Sequence, residues 1–156
     1  MPRPLSAPLA FVASLATAFA ALAAPAPAVA ATARPACPLL GVETLSSLLG
    51  KKITTTRKSA EDASHYTACR YAVDAGSKDD INLEVYWQFA KMTYDGYCNQ
   101  TDAVPVKGLG EAACMTRDTL NVLKGETVLR VRMILLPMDK AQGKAVEIAK
   151  AVLPKL

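Results

Sequence analysis

Histidine occurs once, at position 65, and no two of the four cysteines form a C-x-x-C pair. A zinc site draws its four ligands from Cys, His and carboxylates at recognisable spacings, so a metal centre has no support and we assign no metal ligand and no cofactor. Beyond residue 22 no apolar run approaches the roughly 20 residues that a membrane-spanning helix needs. The longest, Met133–Met138, is of strand length, so we expect no membrane span in the mature chain. The charge balance is mild, 18 Lys+Arg against 14 Asp+Glu for a net +4, and its only basic pairs are Lys51-Lys52 and Arg57-Lys58. Nucleic-acid binders concentrate basic charge in a patch, so nucleic acid is not an expected partner. There is no internal repeat. Gly108-Leu109-Gly110-Glu111-Ala112 carries half of a phosphate-loop glycine pattern, but the segment after it reads as a strand where such a loop needs a helix. We take it as a tight turn that requires positive φ.

What is present starts at the N-terminus. Arg3 is the only charge before Arg34, and between them an apolar run, Leu9–Leu22, leads to the small residues Ala28-Val29-Ala30. A basic start, an apolar centre and an A-x-A end make a secretory signal peptide over residues 1–30. Residues 31–36 continue a Pro/Ala-rich linker, and residues 37–156 suit a single domain. Arg34-Pro35-Ala36 before Cys37 do not match a lipobox, which argues against a lipid anchor. The expected location is periplasmic or secreted.

Cys37, Cys69, Cys98 and Cys114 all follow the leader. An even number of cysteines in an exported domain points to disulfides. Of the three possible pairings we favour Cys37–Cys69, which pins the first helix to a strand, and Cys98–Cys114, which closes the central segment onto the sheet. On the loop-entropy account each contributes about 3 kcal/mol.

The periodicities give an α+β fold. Leu45, Leu48 and Leu49 lie on one helical face, with Glu43 early and Gly50 after, so residues 42–49 are a short helix. Ile53–Arg57 and Tyr66–Val73 are strands. Ile81–Phe89 alternates strictly, with Ile81, Leu83, Val85, Trp87 and Phe89 on the inward face. A short helix over Phe89–Asp95 and a loop over Gly96–Thr101 follow. Ala112–Thr116, Leu120–Lys124 and Thr127–Leu135 are strands. In the last, Leu129, Val131, Met133 and Leu135 oppose Val128, Arg130, Arg132 and Ile134. Asp139 as N-cap with Gln142 three on makes a capping box. The closing helix buries Met138, Ala141, Ala145, Ile148, Ala149 and Val152. The expected architecture is an antiparallel sheet with the N- and C-terminal helices packed on one face.

The candidate site is not catalytic. Ser64, His65 and Asp62 are sequence neighbours, which rarely converge as a triad does, and Glu61-Asp62 and Asp79-Asp80 read as solvated turn acids without calcium-loop spacing. Six aromatics, Tyr66, Tyr71, Tyr86, Trp87, Tyr94 and Tyr97, fall in one short stretch. Tyr86, Tyr94 and Tyr97 have no burial pattern, and exposed aromatics mark recognition surfaces. Arg130 and Arg132 share a strand face that corresponds to that of Glu84 and Tyr86, so they either line an anion-binding surface or form cross-strand ion pairs.

Cys37-Pro38-Leu39-Leu40, Leu48-Leu49-Gly50, Cys69-Arg70-Tyr71, Val106–Ala113 and Leu120–Gly125 together resemble a broad group of small bacterial exported proteins and lipoproteins of uncharacterised function. The resemblance implies a compact α+β domain of the cell envelope, akin to a PsbP-type sandwich, and carries no catalytic residues. This chain departs from many members in lacking a lipobox and in its extra pair Cys98 and Cys114. The expected function is a non-enzymatic binding module for an envelope protein or a small ligand. One alternative is an inhibitor of a secreted hydrolase acting through Gly96–Lys107; a second is an enzyme that uses His65 or an acid pair. If the cysteines are all paired, alkylation under native conditions and in denaturant labels none of them before reduction and all four afterwards, as read by mass spectrometry; a thiol labelled in unreduced protein is the contrary result.

Overall fold

A computed structural model describes residues 34–58, 65–73, 81–134 and 136–156. The leader, Ala31–Ala33, Leu135 and the turn acids Glu61-Asp62 and Asp79-Asp80 lie outside the described residues, as does Ser64. Among those described, seven strands form one antiparallel sheet: β1 (Thr55–Lys58), β2 (Tyr66–Ala72), β3 (Ile81–Tyr86), β4 (Val104–Pro105), β5 (Ala112–Thr116), β6 (Thr119–Lys124) and β7 (Thr127–Met133). Their spatial order is β1-β2-β3-β7-β6-β5-β4. The last strand therefore closes the sheet in its middle, with Leu83 and Leu120 both opposite Val131.

The alternation seen in the sequence sorts the two faces. Ile81, Leu83 and Val85 of β3, Leu120 and Val122 of β6, and Leu129, Val131 and Met133 of β7 belong to one buried cluster. Leu45 of α1 (Val42–Leu49) and Ala141, Ala145, Ile148, Ala149 and Val152 of α3 (Met138–Val152) belong to the same cluster. Such burial, at about 25 cal/mol per Å² of apolar area, is the main driving force of the fold. Tyr71 is the largest fully buried side chain, and its hydroxyl donates to the Leu40 carbonyl at 2.8 Å, so no polar atom is stranded there. The other face is mostly polar, and α2 (Ala90–Cys98) crosses it, where Ala90 and Tyr94 pack with Leu123 and Val128.

Both disulfides take the favoured pairing. Cys37–Cys69 ties a 3-10 turn over Cys37–Leu39 to β2, and Cys98–Cys114 ties the end of α2 to β5. Arg34 and Ala36, placed in the linker by composition, are engaged with the domain. The Arg34 Nη1 donates to Thr127 Oγ1 at 2.8 Å, and Ala36 is buried.

Several expected boundaries move. The alternating strand stops at Tyr86, because Phe89 adopts a left-handed conformation (φ 54°) that turns the chain into α2. Trp87 is buried as its parity implies, whereas Phe89 is not inward but 61% exposed. Helix α2 runs through Cys98, so the loop expected from Gly96 begins only at Asn99. The capping box does not form: α3 starts at Met138 with Pro137 as its N-cap and no side-chain cap. Pro137, at φ −54° and ψ 147°, takes the extended N-cap position itself, so the helix starts two residues earlier than a cap at Asp139 implies and leaves Asp139 in its first turn. The last strand ends at Met133, and Ile134 is exposed.

The glycine turn is as expected, with Gly108 at φ 78° and Gly110 at φ 54°. A Cβ on Gly110 would lie 2.2 Å from the Leu123 carbonyl oxygen, so the turn sits directly on β6. Gly110→Ala should lower stability by about 2–3 kcal/mol through combined clash and left-handed strain. Gly143→Ala, on the exposed side of α3 with open space around it, should raise stability by about 0.5–1 kcal/mol. Urea denaturation of the two variants checks both signs.

Candidate functional site

The polar face is organised around Arg130. It is flanked directly by Glu84 of β3 and Asn121 of β6, so the register alone sets a guanidinium between a carboxylate and an amide. Its Nη1 donates to Glu84 Oε2 at 2.6 Å and its Nε to Asn121 Oδ1 at 3.0 Å. The Asn121 amide donates onward to Thr116 Oγ1 at 3.1 Å. Above the plane lies Tyr97 of α2, its ring centroid 3.8 Å from the guanidinium carbon, which is close cation–π contact. Tyr86 donates to Glu84 at 3.2 Å, accepts from Arg130 at 3.4 Å and stacks on Tyr66 at 4.9 Å between centroids.

The Arg130 and Glu84 side chains are only 16% and 21% exposed. Burial opposes the charge of Arg130, but the Glu84 carboxylate and the phenols of Tyr97 and Tyr86 outweigh it and hold the guanidinium above its ordinary pKa. Tyr86 is pushed up from 10.0, first by burial and then by the Glu84 charge, with Arg130 opposing. The phenol is thus kept neutral as a donor and Arg130 kept charged.

Beside this cluster opens a groove of about 320 Å³, whose further walls include Gln100, Asp102, Arg117, Asp118 and Arg132. Its charges are paired: Arg132 with Asp118 at 3.0 Å and Arg117 with Asp102 at 3.5 Å. Arg117 starts the β5–β6 turn and is left-handed at φ 52°; with Phe89 it is one of two non-glycine residues with positive φ among the described residues. Such strain costs on the order of 1 kcal/mol and persists where the surroundings enforce it.

Of the residues singled out from the sequence, Tyr86, Tyr97, Arg130 and Arg132 are brought together. Tyr94 does not line the groove. From the middle of α2 it packs, as Tyr86 does, against Ala90, Leu123 and Val128, and there burial and then the Asp95 charge raise its pKa against Lys91. The arginines form ion pairs and do not leave an open anion-binding surface. His65 stands apart, its ring 6.0 Å from that of Phe89. Asn121, Arg117, Asp102 and Asp118 were missed. Asn121 had one signal, an amide at the centre of an apolar strand; the others read as ordinary turn residues. Among the described residues no three His, Cys, Asp or Glu side chains gather as metal ligands, and no helix is long and apolar enough to cross a membrane. No protein-family model and no curated protein matches the chain.

Both Tyr71 and Tyr86 have pKa values raised by burial above 10.0. Above that pH the unfolded chain loses phenolic protons that the fold retains, so stability is intact below about pH 10 and falls as pH rises further. Urea midpoints from pH 8 to 11 should show this decline. It should be shallower in Tyr71→Phe and Tyr86→Phe; a slope unchanged in both would contradict the neutral, buried phenols.

Proposed function

We propose that the chain is an exported, non-enzymatic binding module of the cell envelope, and that the groove between the end of α2 and the β5–β6 turn takes a polar ligand or the polar segment of a protein partner. In this reading both terminal helices cover the core face of the sheet, which leaves the opposite face to α2 and the groove. Membership of Leu45 and of the α3 stripe in one core cluster supports that placement. Export is supported by the two disulfides, which persist in oxidising compartments, and by the leader-like first thirty residues.

The observation that carries the reading is the groove's balanced chemistry. Arg130, Arg132 and Arg117 each sit beside a carboxylate, so donors and acceptors alternate along one surface with no net charge. Such a surface suits a partner that offers donors and acceptors together more than a simple anion or cation. Tyr97 adds an aromatic wall, and the nearby Cys98–Cys114 bond limits its movement, which lowers the ordering cost of binding. The inhibitory-loop alternative has less support, because Gly96–Lys107 comprises a helix end, a five-residue link and an edge strand rather than one projecting loop.

Native mass spectrometry of protein exported by its own leader tests the proposal. A retained small molecule, or an envelope protein captured by an apo monomer, should bind about tenfold or more weakly to Tyr97→Ala and Arg132→Ala, the scale of losing a hydrogen bond to a charged group. Binding that both variants preserve removes the groove from the account.

A further inference from the structure

The opposite end of α2 carries a second surface, chemically unlike the first. Phe89 and Met92 are 61% and 67% exposed. With Trp87 and the β6–β7 turn at Gly125-Glu126 they border a groove of about 380 Å³. Exposed single apolar residues are ordinary; two large ones on the rim of one concavity are less so. The backbone adds an independent observation. Phe89 holds a left-handed φ of 54°, a conformation that disfavours bulky residues and suits Gly or Asn. The chain thus accepts strain at a position where the side chain is displayed rather than buried, and stored strain of this kind gathers at functional sites.

The rim also has a sign. Lys91 is neutralised by Asp95 at 2.8 Å. Glu111 reaches the same turn and accepts the Gly125 N–H at 2.7 Å. Glu126 is exposed and has no ion pair among the described residues. Of the two charged side chains that line the groove itself, Lys91 and Glu126, the carboxylate is thus the one without an ionic partner among the described residues.

We propose that this groove is a protein-docking site, separate from the polar groove, and that its occupant is a segment of another protein that inserts one apolar side chain between Phe89 and Met92 and sets a basic residue against Glu126. A concave apolar seat with a charged rim matches the anchor-and-pocket pattern of interface hot spots. A bilayer would press on a convex tip, whereas this seat is concave.

The single tryptophan lines this groove at 5% exposure and reports on it directly. The probes are an acetylated heptapeptide amide with a central leucine followed by two lysines, its counterpart with two glutamates, and phosphatidylglycerol vesicles. The lysine peptide should shift Trp87 emission and the amide resonances of Met92 and Gly125 saturably at up to millimolar concentration; the glutamate peptide should not. Met92→Ser should weaken the response about tenfold, as for loss of an interface anchor. Phe89→Asn should weaken it as much while raising the thermal midpoint by a few degrees, because asparagine tolerates the left-handed backbone. A purely structural Phe89 gives the stabilisation without the loss. No response to the lysine peptide, an equal response to the glutamate peptide, or a response unaffected by both substitutions overturns the proposal. So does a Phe89-dependent interaction seen only with vesicles, or self-association through the same residues in sedimentation.

Discussion

The path from β3 to β4 constrains much of this molecule. Strand β3 lies near the middle of the sheet and β4 at its far edge, with β7, β6 and β5 between them. Four strand spacings at about 4.8 Å make a crossing of about 19 Å, and the chain must make it over one face. Helix α2 provides about 13 Å of that path at 1.5 Å per residue. A nine-residue helix with three apolar neighbours in the sheet has little hold of its own, so the fastenings matter. Ala90 and Tyr94 sit on Leu123 and Val128, Tyr97 covers Arg130, and Cys98 is bonded to Cys114. The buried guanidinium and the crossing helix thus depend on each other. Without α2, Arg130 would lose the ring that covers it; without Arg130, Tyr97 would lose the cation beneath its ring.

A buried ion pair is weak evidence of net stability, since desolvation offsets much of the attraction. The Arg130 network is better understood as specifying position. Its hydrogen bonds reach β3, β6 and β7 at once, and a strand slipped by one residue would turn each of these side chains to the apolar face. The network therefore penalises the wrong register while the apolar face, equally intolerant of a slip, rewards the right one.

Strictly periodic segments were legible in the sequence. The α3 stripe, the faces of β3 and β7, the glycine turn and the favoured cysteine pairing all follow from period, parity and loop closure. The misplaced features share a cause: local signals were extended across a point where tertiary context takes over. Parity carried Phe89 inward because alternation cannot reveal where a strand ends; the turn into α2 depends on a backbone conformation that phenylalanine does not advertise. The Asp139 capping signal was real in composition but lost to Pro137, which starts the helix two residues sooner. The paired charges were half legible. Glu84 and Arg130 share a face by parity, but their adjacency needs the β3–β7 pairing between segments far apart in sequence, and Asp102 and Asp118 enter the groove only through loops.

The two ends of α2 show how one connection can carry two kinds of surface. Its C-terminal end is cross-linked, with aromatic and ionic neighbours in place, and borders a groove whose charges are already satisfied. A partner there gains mainly by exchanging water-facing hydrogen bonds for protein-facing ones, a modest net gain of about 1 kcal/mol per bond. At the N-terminal end Phe89 and Met92 remain in water, where covering each offers about 1.5–3 kcal/mol at most. The first surface favours discrimination between polar partners, because an unmatched donor or acceptor is penalised more than a matched one is rewarded. The second favours affinity with little discrimination beyond shape and the sign of the rim. Separating them by the length of a nine-residue helix lets one partner, if large enough to reach both, use the apolar seat to hold and the polar groove to select.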